Sequence, residues 1–267
     1  MIVWVTGASS GLGRYTAEAI RDLGHTVVAG ARSFSGGELE GIRCLRLDVT
    51  DMESIRRFAD CAFQEYGRVD AVVHCAAILN LASCEETGAD QYSRVMDTDF
   101  LGMVRVNEIA LPGMRQQGQG RIIMFSSING LLGVPFQSAY TAAKHAVEGY
   151  AECLDMETRA FGIQVCLIEP GDHRGGSGRT RLRHEPETDS PYRGDFERTT
   201  SRIAHDEAHG SDPEKLGRKV AHLLEKRHMP LRKRVASADQ HLAVFLHDML
   251  PGRLSENILR MYYMGKF

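Results

Sequence analysis

Short apolar runs alternate with longer amphipathic stretches over the first 170 residues of this chain. The runs are rich in β-branched residues and predict strands, which span residues 2–6, 26–30, 43–47, 69–74, 121–125 and 164–168. Between them, apolar positions three and four residues apart predict helices over residues 12–23, 51–66, 89–117 with an interruption near Pro112, and 138–161. Strands that are apolar throughout have both faces covered, so the alternation predicts an α/β fold, a doubly wound parallel sheet of the Rossmann type.

The pattern changes after Pro170-Gly171. Residues 172–212 are rich in glycine and charged side chains and poor in aliphatic ones, which predicts a lid over the active site. A helical pattern resumes at Pro213, with Asp212 as the expected N-cap of that helix.

The end of the chain returns to regular structure. Residues 232–236 predict a last edge strand, and residues 238–267 form an apolar tail with helical spacing. No linker divides the sequence, so we expect residues 1–267 to form one nucleotide-binding domain.

The composition, with 43% hydrophobic and 25% charged residues, indicates an ordinary globular protein. A net charge of -3 does not favour a nucleic-acid binder. No apolar stretch approaches the roughly 20 residues that span a bilayer. The strand pattern begins at Ile2, which leaves no room for a signal peptide. We therefore expect a cytoplasmic protein without an integral membrane segment.

Six cysteines are scattered along the chain without a Cys-x-x-Cys pair. This arrangement favours reduced thiols over a disulfide framework. Cys61, Cys153 and Cys166 occupy apolar patterns and are predicted to be small core residues. No cluster of histidine and cysteine has the spacing of a zinc site, so no metal is expected.

A glycine-rich segment, Thr6-Gly7-Ala8-Ser9-Ser10-Gly11-Leu12-Gly13, joins the first predicted strand to the first helix. Glycines there allow a tight turn and a close approach of the backbone to a pyrophosphate, which the helix N-terminus binds through its free N–H groups. This position in an alternating chain is typical of a dinucleotide site. The predicted cofactor-binding residues of the turn are Gly7, Ser9, Ser10, Gly11, Leu12 and Gly13.

The second predicted strand ends in Ala29-Gly30-Ala31-Arg32. An acidic residue at this end binds the 2′-hydroxyl of NAD, whereas a basic residue accommodates the 2′-phosphate of NADP. Arg32 offers a planar guanidinium with several donors for a phosphate. We therefore predict a preference for NADP(H), with NAD(H) as the alternative.

Tyr140 and Lys144 stand four residues apart in a predicted helix, so their side chains share one face. A phenol normally loses its proton at about pH 10. A neighbouring ammonium favours the phenolate, so we expect Lys144 to bring the pKa of Tyr140 toward neutrality and make it a proton donor and acceptor. The pair alone is weak evidence, and it gains weight from Ser127 upstream and from the glycine turn.

These elements resemble the short-chain dehydrogenase/reductase family, in its compact single-domain branch, over nearly the whole chain. The resemblance rests on the glycine turn, Asp48-Val49, Ser127 placed 13 residues before Tyr140, the Tyr140–Lys144 pair and Pro170-Gly171. Residues 133–136 and 146–149 are most similar to members that act on steroids, retinoids and other lipophilic alcohols.

The resemblance implies a role for each of these residues. Tyr140 would be the general acid/base on the substrate oxygen, and Ser127 would hydrogen-bond that oxygen. Lys144 would lower the pKa of Tyr140 and bind the nicotinamide ribose, and Asp48 would contact the adenine. The hydride itself moves to or from the nicotinamide. The remaining cofactor-binding positions that the resemblance implies are Val49, Cys75, Ala76, Pro170 and Gly171, together with Tyr140 itself.

Two positions depart from the family pattern. His74-Cys75-Ala76-Ala77 stands where the family has Asn-Asn-Ala-Gly, and the added methyl of Ala77 fits near the cofactor if its φ is negative. Asp99 takes the place of an asparagine that holds a water in the family's proton relay, and an ionised carboxylate accepts a hydrogen bond but cannot donate one. Asp99 is therefore a fourth catalytic candidate. His74 itself is predicted to be a buried strand residue.

The sequence predicts an NADP(H)-dependent oxidoreductase that interconverts a secondary alcohol and a ketone on a lipophilic small molecule, with a hydroxysteroid as the first expectation. Two alternatives remain open: a 3-oxoacyl-thioester reductase and a low-turnover regulator that senses NADP(H). In resembling proteins the helices near 100–117 and 138–161 form the dimer interface, so the resemblance implies a homodimer or homotetramer.

Overall fold

An eight-stranded sheet forms the centre of the computed structural model, which describes residues 1–175 and 181–266. Its strands in spatial order are β10 (Arg232–Val235), β8 (Ile163–Pro170), β7 (Gly120–Phe125), β5 (Ala71–His74), β1 (Ile2–Thr6), β2 (Thr26–Ala31), β4 (Ile42–Arg46) and β3 (Glu38–Leu39). Neighbouring strands are parallel, except that β3 runs antiparallel to β4. Outside this sheet, β6 (Leu79–Leu81) pairs in parallel with β9 (Arg181–Arg183).

Helices cover both faces of the sheet. They are α1 (Gly11–Asp22), α2 (Met52–Tyr66), α3 (Ala89–Met96), α4 (Gly102–Gln117), α5 (Ser138–Thr158), α6 (Arg193–Ala208), α7 (Pro213–Leu224), α8 (Ala238–Met249) and α9 (Gly252–Met264). Along β1, Val3 and Val5 pack in the core layer that contains Ile20 of α1, whereas Trp4 packs in the opposite layer against Phe58 of α2. Because both faces are buried, the strands are apolar throughout, and the predicted doubly wound α/β fold is confirmed.

The order of the strands reverses at β1. From β1 the sheet grows through β2 and β4 in one direction and through β5, β7 and β8 in the other. In such sheets ligands bind in the crevice outside the carboxyl ends of the strands at the point of reversal. Gly7 follows β1 there, and Cys75 follows β5.

The helical region 89–117 is interrupted, but not where the sequence predicted. Pro112 lies inside α4 without ending it, because a proline removes one helical hydrogen bond while buried side chains such as Val106 and Ala110 hold the helix on the core. The interruption is instead a π-helical segment, Asp97–Leu101, between α3 and α4. This wider turn carries Asp99, whose side chain is fully buried.

The region 172–212 contains more regular structure than its composition predicts. It includes β9 and α6, and α6 buries Phe196 and Ile203. Residues 176–180 of this region lie outside the described residues, and its action as a lid stays a prediction. The N-cap prediction at Asp212 is confirmed, since its side chain accepts a hydrogen bond from Glu214 N at 3.0 Å.

The last part of the chain follows the predicted pattern. The strand β10 lies at the edge of the sheet beside β8, and α8 and α9 account for the helical tail. Large apolar side chains of the tail stay exposed, among them Phe245 and Met249. Within residues 1–175 and 181–266, none of the helices has the length and apolar character needed to cross a membrane.

The cysteine prediction holds only in part. All six cysteines are free thiols, and Cys166 is buried as expected. Cys61 and Cys153 are exposed, so their assignment to the core is wrong. Both lie on the solvent-facing side of a helix that is buried on its other side. An error of one position in the predicted helical phase is enough to assign such a surface residue to the core.

Candidate active site

A cavity of about 520 Å³ lies at the carboxyl ends of β1, β5, β7 and β8. Gly11 and Asp99, both proposed from the sequence, lie outside its lining. The other residues proposed from the sequence all line it: Gly7, Ser9, Ser10, Leu12, Gly13, Arg32, Asp48, Val49, Cys75, Ala76, Ser127, Tyr140, Lys144, Pro170 and Gly171.

The glycine turn forms one wall of the cavity through two close backbone approaches. Gly7 has a φ of +68°, and a Cβ there would lie 2.6 Å from the Ala76 backbone. A Cβ on Gly13 would lie 2.4 Å from the carbonyl oxygen of Gly7. Thr6 joins the turn to the segment after β5, since its hydroxyl accepts hydrogen bonds from Cys75 N at 3.2 Å and Ala76 N at 3.3 Å. Only glycine fits the two positions, and the Thr6 hydroxyl fixes the end of β1 against the segment after β5.

The donors beside this wall fit a phosphorylated dinucleotide. The Ser10 hydroxyl makes no capping bond to α1, which leaves it available in the cavity. Arg32 is exposed at the open end and has no ion-pair partner in the described part of the chain. Asp48 lines the same end, where its carboxylate accepts hydrogen bonds from Thr50 N at 3.0 Å and Thr50 Oγ1 at 2.8 Å. Hydroxyl and guanidinium donors of this kind are suited to phosphate oxygens.

Ala77 causes no strain where the family has glycine. Its φ is not positive, since Glu40 and Phe136 are the non-glycine residues with positive φ in the described ranges. The departure at this position is therefore compatible with the backbone path that lines the cavity.

The helix α5 presents Tyr140 and Lys144 to the cavity. Lys144 Nζ lies 5.2 Å from the centre of the Tyr140 ring and donates a hydrogen bond to the Phe125 carbonyl at 3.0 Å. The Ser127 hydroxyl accepts a hydrogen bond from Asn129 N at 3.2 Å, which orients it. A hydrogen bond with Ser127 favours the phenolate and so acts to lower the pKa of Tyr140. The structure thus brings the three predicted residues together.

Asp99 lies behind Lys144. Its Oδ2 is 3.3 Å from Lys144 Nζ, its Oδ1 accepts a hydrogen bond from Ile78 N at 2.8 Å, and both charged side chains are buried. Burial raises the pKa of Asp99 to about 6, although the Lys144 ammonium and the Ile78 N–H favour its ionised form. Burial also disfavours the Lys144 cation, but Asp99 and Tyr140 outweigh this effect and raise the pKa of Lys144. The two groups therefore form an ion pair at neutral pH.

The pKa of Tyr140 is raised, so the expected fall toward neutrality is wrong for this site. Burial is the largest cause, and the positive charge of Lys144 acts against it. The Asp99 carboxylate, which stands where the family has a neutral asparagine, raises the pKa of Tyr140 and offsets the effect of the lysine. Tyr140 therefore holds its proton at neutral pH.

His74 is a structural residue, as predicted. It is buried, and its Nε2 donates to Asn107 Oδ1 at 2.9 Å, because the Asn107 amide nitrogen itself donates to the Tyr150 hydroxyl at 3.3 Å. Burial lowers the pKa of His74 to about 4, so the ring is neutral.

The sequence predicts the far end of the cavity only in outline, as part of the lid expected over residues 172–212. This end contains carboxylates and aromatic side chains from three separate segments, namely Asp172, His173, Asp206, Glu207 and Tyr263. Asp172 and His173 directly follow Pro170-Gly171, and Asp206 and Glu207 lie on α6 within the predicted lid, but the sequence does not show which lid residues face the cavity. Tyr263 lies on α9, and nothing in the local pattern relates that helix to the cavity.

Comparisons with known proteins agree with the fold. A family model described as short chain dehydrogenase matches residues 1–185. The 3-ketodihydrosphingosine reductase of Bacteroides thetaiotaomicron is 34% identical over 263 residues, which are 98% of this chain and 97% of that protein. Human dehydrogenase/reductase SDR family member 7 is 35% identical over 185 residues, which are 64% of this chain and 55% of that protein.

Solved structures of short-chain and alcohol dehydrogenases are similar to this chain in fold. A short-chain dehydrogenase from Streptomyces avermitilis has a TM-score of 0.80 at 30% identity, covering 97% of this chain and 95% of its own. An alcohol dehydrogenase from Thermococcus sibiricus, solved with 5-hydroxy-NADP, has a TM-score of 0.72 at 20% identity over 89% of this chain and 96% of its own, which shows a common fold. The chain therefore belongs to the short-chain dehydrogenase/reductase family and is an oxidoreductase that acts on CH–OH groups.

Proposed function

We propose that this chain is an NADP(H)-dependent oxidoreductase that interconverts a secondary alcohol and a ketone on a lipophilic small molecule. One observation carries the proposal: Ser127, Tyr140 and Lys144 line the same cavity as the glycine turn. A proton donor thus stands beside the space in which a dinucleotide at the turn would place its nicotinamide. Apolar residues such as Val134 and Ile203 also line the cavity and suit a lipophilic substrate.

In this proposal Tyr140 is the general acid/base. During reduction its hydroxyl gives a proton to the carbonyl oxygen, while Ser127 donates a hydrogen bond to the same oxygen. A bound nicotinamide supplies the hydride. Lys144, held by Asp99 and the Phe125 carbonyl, places a positive charge beside the phenolate that remains. The raised pKa of Tyr140 keeps it protonated at neutral pH, so that it can donate the proton that ketone reduction requires.

Two classes of lipophilic substrate are candidates. A hydroxysteroid stays the substrate predicted from the sequence. The name of the Bacteroides relative brings a second candidate, a long-chain ketone that carries an amine beside the carbonyl, and this relative covers nearly the whole chain. The 3-oxoacyl thioester and the NADP(H)-sensing regulator stay as alternatives to both.

A substrate panel tests the proposed function. We expect NADPH oxidation with 3-ketodihydrosphingosine or with a ketosteroid, at a kcat/KM about tenfold or more above that with acetoacetyl thioesters, since the cavity is partly apolar. Absorbance at the NADPH band measures the rate. NADPH binding without consumption on any of these ketones would contradict the enzyme proposal and support the regulator.

The cofactor preference has its own test in Arg32→Asp. We expect the affinity for NADPH to fall by about 10- to 100-fold relative to that for NADH, because a carboxylate repels the 2′-phosphate and accepts from the 2′-hydroxyl instead. Fluorescence titration of both dinucleotides measures the two Kd values. Arg46→Asp is the matched control, since Arg46 is also exposed at the end of a neighbouring strand but does not line the cavity. Equal weakening of both dinucleotides in Arg32→Asp would reject the assignment.

Assembly and location stay predictions as well. We propose a homodimer or homotetramer in which α4 and α5 meet a partner subunit, in keeping with the exposure of Met156 on α5 (69%) and of Phe161 just beyond it (45%). A cytoplasmic location is proposed from the six free thiols.

A further inference from the structure

We infer that the far end of the cavity binds a protonated amine carried beside the reacting ketone, with Asp172 as its carboxylate partner and His173 as a second acceptor. The inference rests on the proposed function, because it uses the same cavity, and it narrows the substrate to an amino ketone.

Asp172 is an anion without a compensating cation. It lines the cavity directly after Gly171. Its Oδ2 accepts a hydrogen bond from Gln240 Nε2 at 2.5 Å, and its backbone N–H donates to Gln240 Oε1 at 3.2 Å. Gln240 is uncharged, and no lysine or arginine among the described residues lies within ion-pair distance of Asp172. The amide orients the carboxylate but leaves its charge for a ligand.

The neighbouring carboxylates, unlike Asp172, have cationic partners. Asp206 forms an ion pair with Arg202 at 3.1 Å, and Glu207 forms one with Arg181. Their charges still act on Asp172, since burial together with Glu207 and Asp206 raises the pKa of Asp172 to about 6. Burial disfavours a charge of either sign, but the negative charges of Glu207 and Asp206, which repel the Asp172 carboxylate, attract a cation in the same place. The far end of the cavity is therefore electrostatically matched to a positively charged group.

His173 provides an independent observation. Its side chain lines the cavity, is only 5% exposed, and has its Nδ1 at 2.9 Å from the Gly171 carbonyl. A carbonyl only accepts, so Nδ1 carries the proton, and burial lowers the pKa of His173, so the ring is neutral. Its Nε2 is then a buried acceptor without a hydrogen-bond donor among the described residues. A buried acceptor is normally paired with a hydrogen-bond donor, and an ammonium can provide one of its three N–H groups.

The acidic end lies within electrostatic reach of the reacting oxygen. The charge of Glu207 contributes to the raised pKa of Tyr140, although it is the smallest of the named causes. In the inferred pose, a ketone whose amine is on an adjacent carbon has its carbonyl at Tyr140 and its ammonium at Asp172, two residues that line the same cavity. An uncharged steroid would leave the charge of Asp172 uncompensated, and the phosphates of a thioester carrier would be repelled.

Asp172→Asn tests the inference. Asparagine keeps an oxygen for the Gln240 amide and removes only the charge, so the fold should be retained. The full-length protein is assayed with NADPH on 3-ketodihydrosphingosine and on its des-amino analogue, 1-hydroxyoctadecan-3-one. We expect kcat/KM for the amino ketone to fall by about 10- to 100-fold, mainly through KM, with the des-amino ketone changed by less than about twofold.

Asp239→Asn is the matched control. Asp239 is exposed on α8, and it acts on Asp172 only through its charge and does not line the cavity, so both substrates should keep their kcat/KM. An equal loss on both ketones in Asp172→Asn, or no loss on either, would overturn the inference while leaving the oxidoreductase proposal intact. An equal kcat/KM of the unaltered protein for the two ketones would also overturn the inference and leave the oxidoreductase proposal intact. If the unaltered protein reduced neither ketone but reduced a ketosteroid, the inference alone would fall; if it reduced no ketone at all, the proposed function would fall with it.

Discussion

Replacement of Tyr140 by phenylalanine is expected to lower kcat for ketone reduction by about 10²- to 10⁴-fold, which is the usual contribution of a positioned general acid. The ring keeps its volume and its packing on α5, while the proton that the carbonyl oxygen must receive is gone. NADPH affinity should change by less than about twofold, because the glycine turn and Arg32 are untouched. Steady-state kinetics and fluorescence titration on the same preparation separate the two effects.

Tyr150→Phe provides the matched control for this variant. Tyr150 lies on the same helix, outside the cavity lining, where its hydroxyl accepts a hydrogen bond from Asn107. Loss of this hydroxyl should leave kcat within about twofold of the unaltered value. A Tyr140→Phe enzyme that kept its full kcat would show that the proton comes from another group.

The pH dependence of the unaltered enzyme follows from the same residue. Because burial and Asp99 raise the pKa of Tyr140, the phenol is protonated across the neutral range, and reduction should depend little on its ionisation there. Ionisation of the phenol should lower the rate only at alkaline pH, where the phenol loses its proton. A phenol with a pKa near neutrality would instead give a fall between pH 6 and 8.

Local patterns explain why much of the fold and half of the site were predictable. The strand Ile2–Thr6 is apolar on both faces because both faces are buried, and the spacing from Tyr140 to Lys144 needs only one helical turn to bring the pair together. The glycine turn is equally local, since the close approaches at Gly7 and Gly13 can be met by no other residue. Each of these features lies within a few residues of sequence.

The individual residues at the far end of the cavity could not be predicted, because this end is assembled over long distances along the chain. Asp172, Asp206 and Tyr263 come from the end of β8, from α6 and from α9. The helix α6 itself is poor in aliphatic residues and is held by few buried apolar side chains, such as Phe196 and Ile203. Its pattern is therefore that of a polar loop, although its buried face packs well.

The effect of Asp99 on the pKa of Tyr140 could not be predicted for a different reason. The sequence identifies the substitution of the family's asparagine, but its effect on Tyr140 depends on burial, which no local pattern reports. The position of the carboxylate depends on the π-helical segment Asp97–Leu101, whereas the sequence pointed to Pro112 as the irregular position. The direction of the pKa change at Tyr140 depends on the burial of the phenol and on the charges of Asp99 and Lys144, which are themselves buried.

The buried ion pair leads to the second large effect, on stability. Lys144→Met is expected to lower the free energy of unfolding by about 3–5 kcal/mol at neutral pH, because Asp99 then stays buried without its cation. Methionine matches the length and apolar stem of lysine, so packing changes little. Activity should also be lost, since the charge beside Tyr140 disappears. Urea unfolding followed by circular dichroism measures the change.

The pH dependence and a double variant show whether the lost stability comes from the unpaired carboxylate. With its pKa raised from 3.8 to about 6 in the folded protein, Asp99 contributes stability that is present below pH 3.8 and is lost as the pH rises through about 6. Without Lys144 this pKa rises further, so the penalty of Lys144→Met should be larger at pH 8 than at pH 5. Asp99→Asn in the same chain removes the charge and keeps an acceptor for the Ile78 N–H, so the double variant should recover about 2 kcal/mol or more at pH 8. A double variant no more stable than Lys144→Met would show that lost packing, and not the buried charge, destabilises the protein.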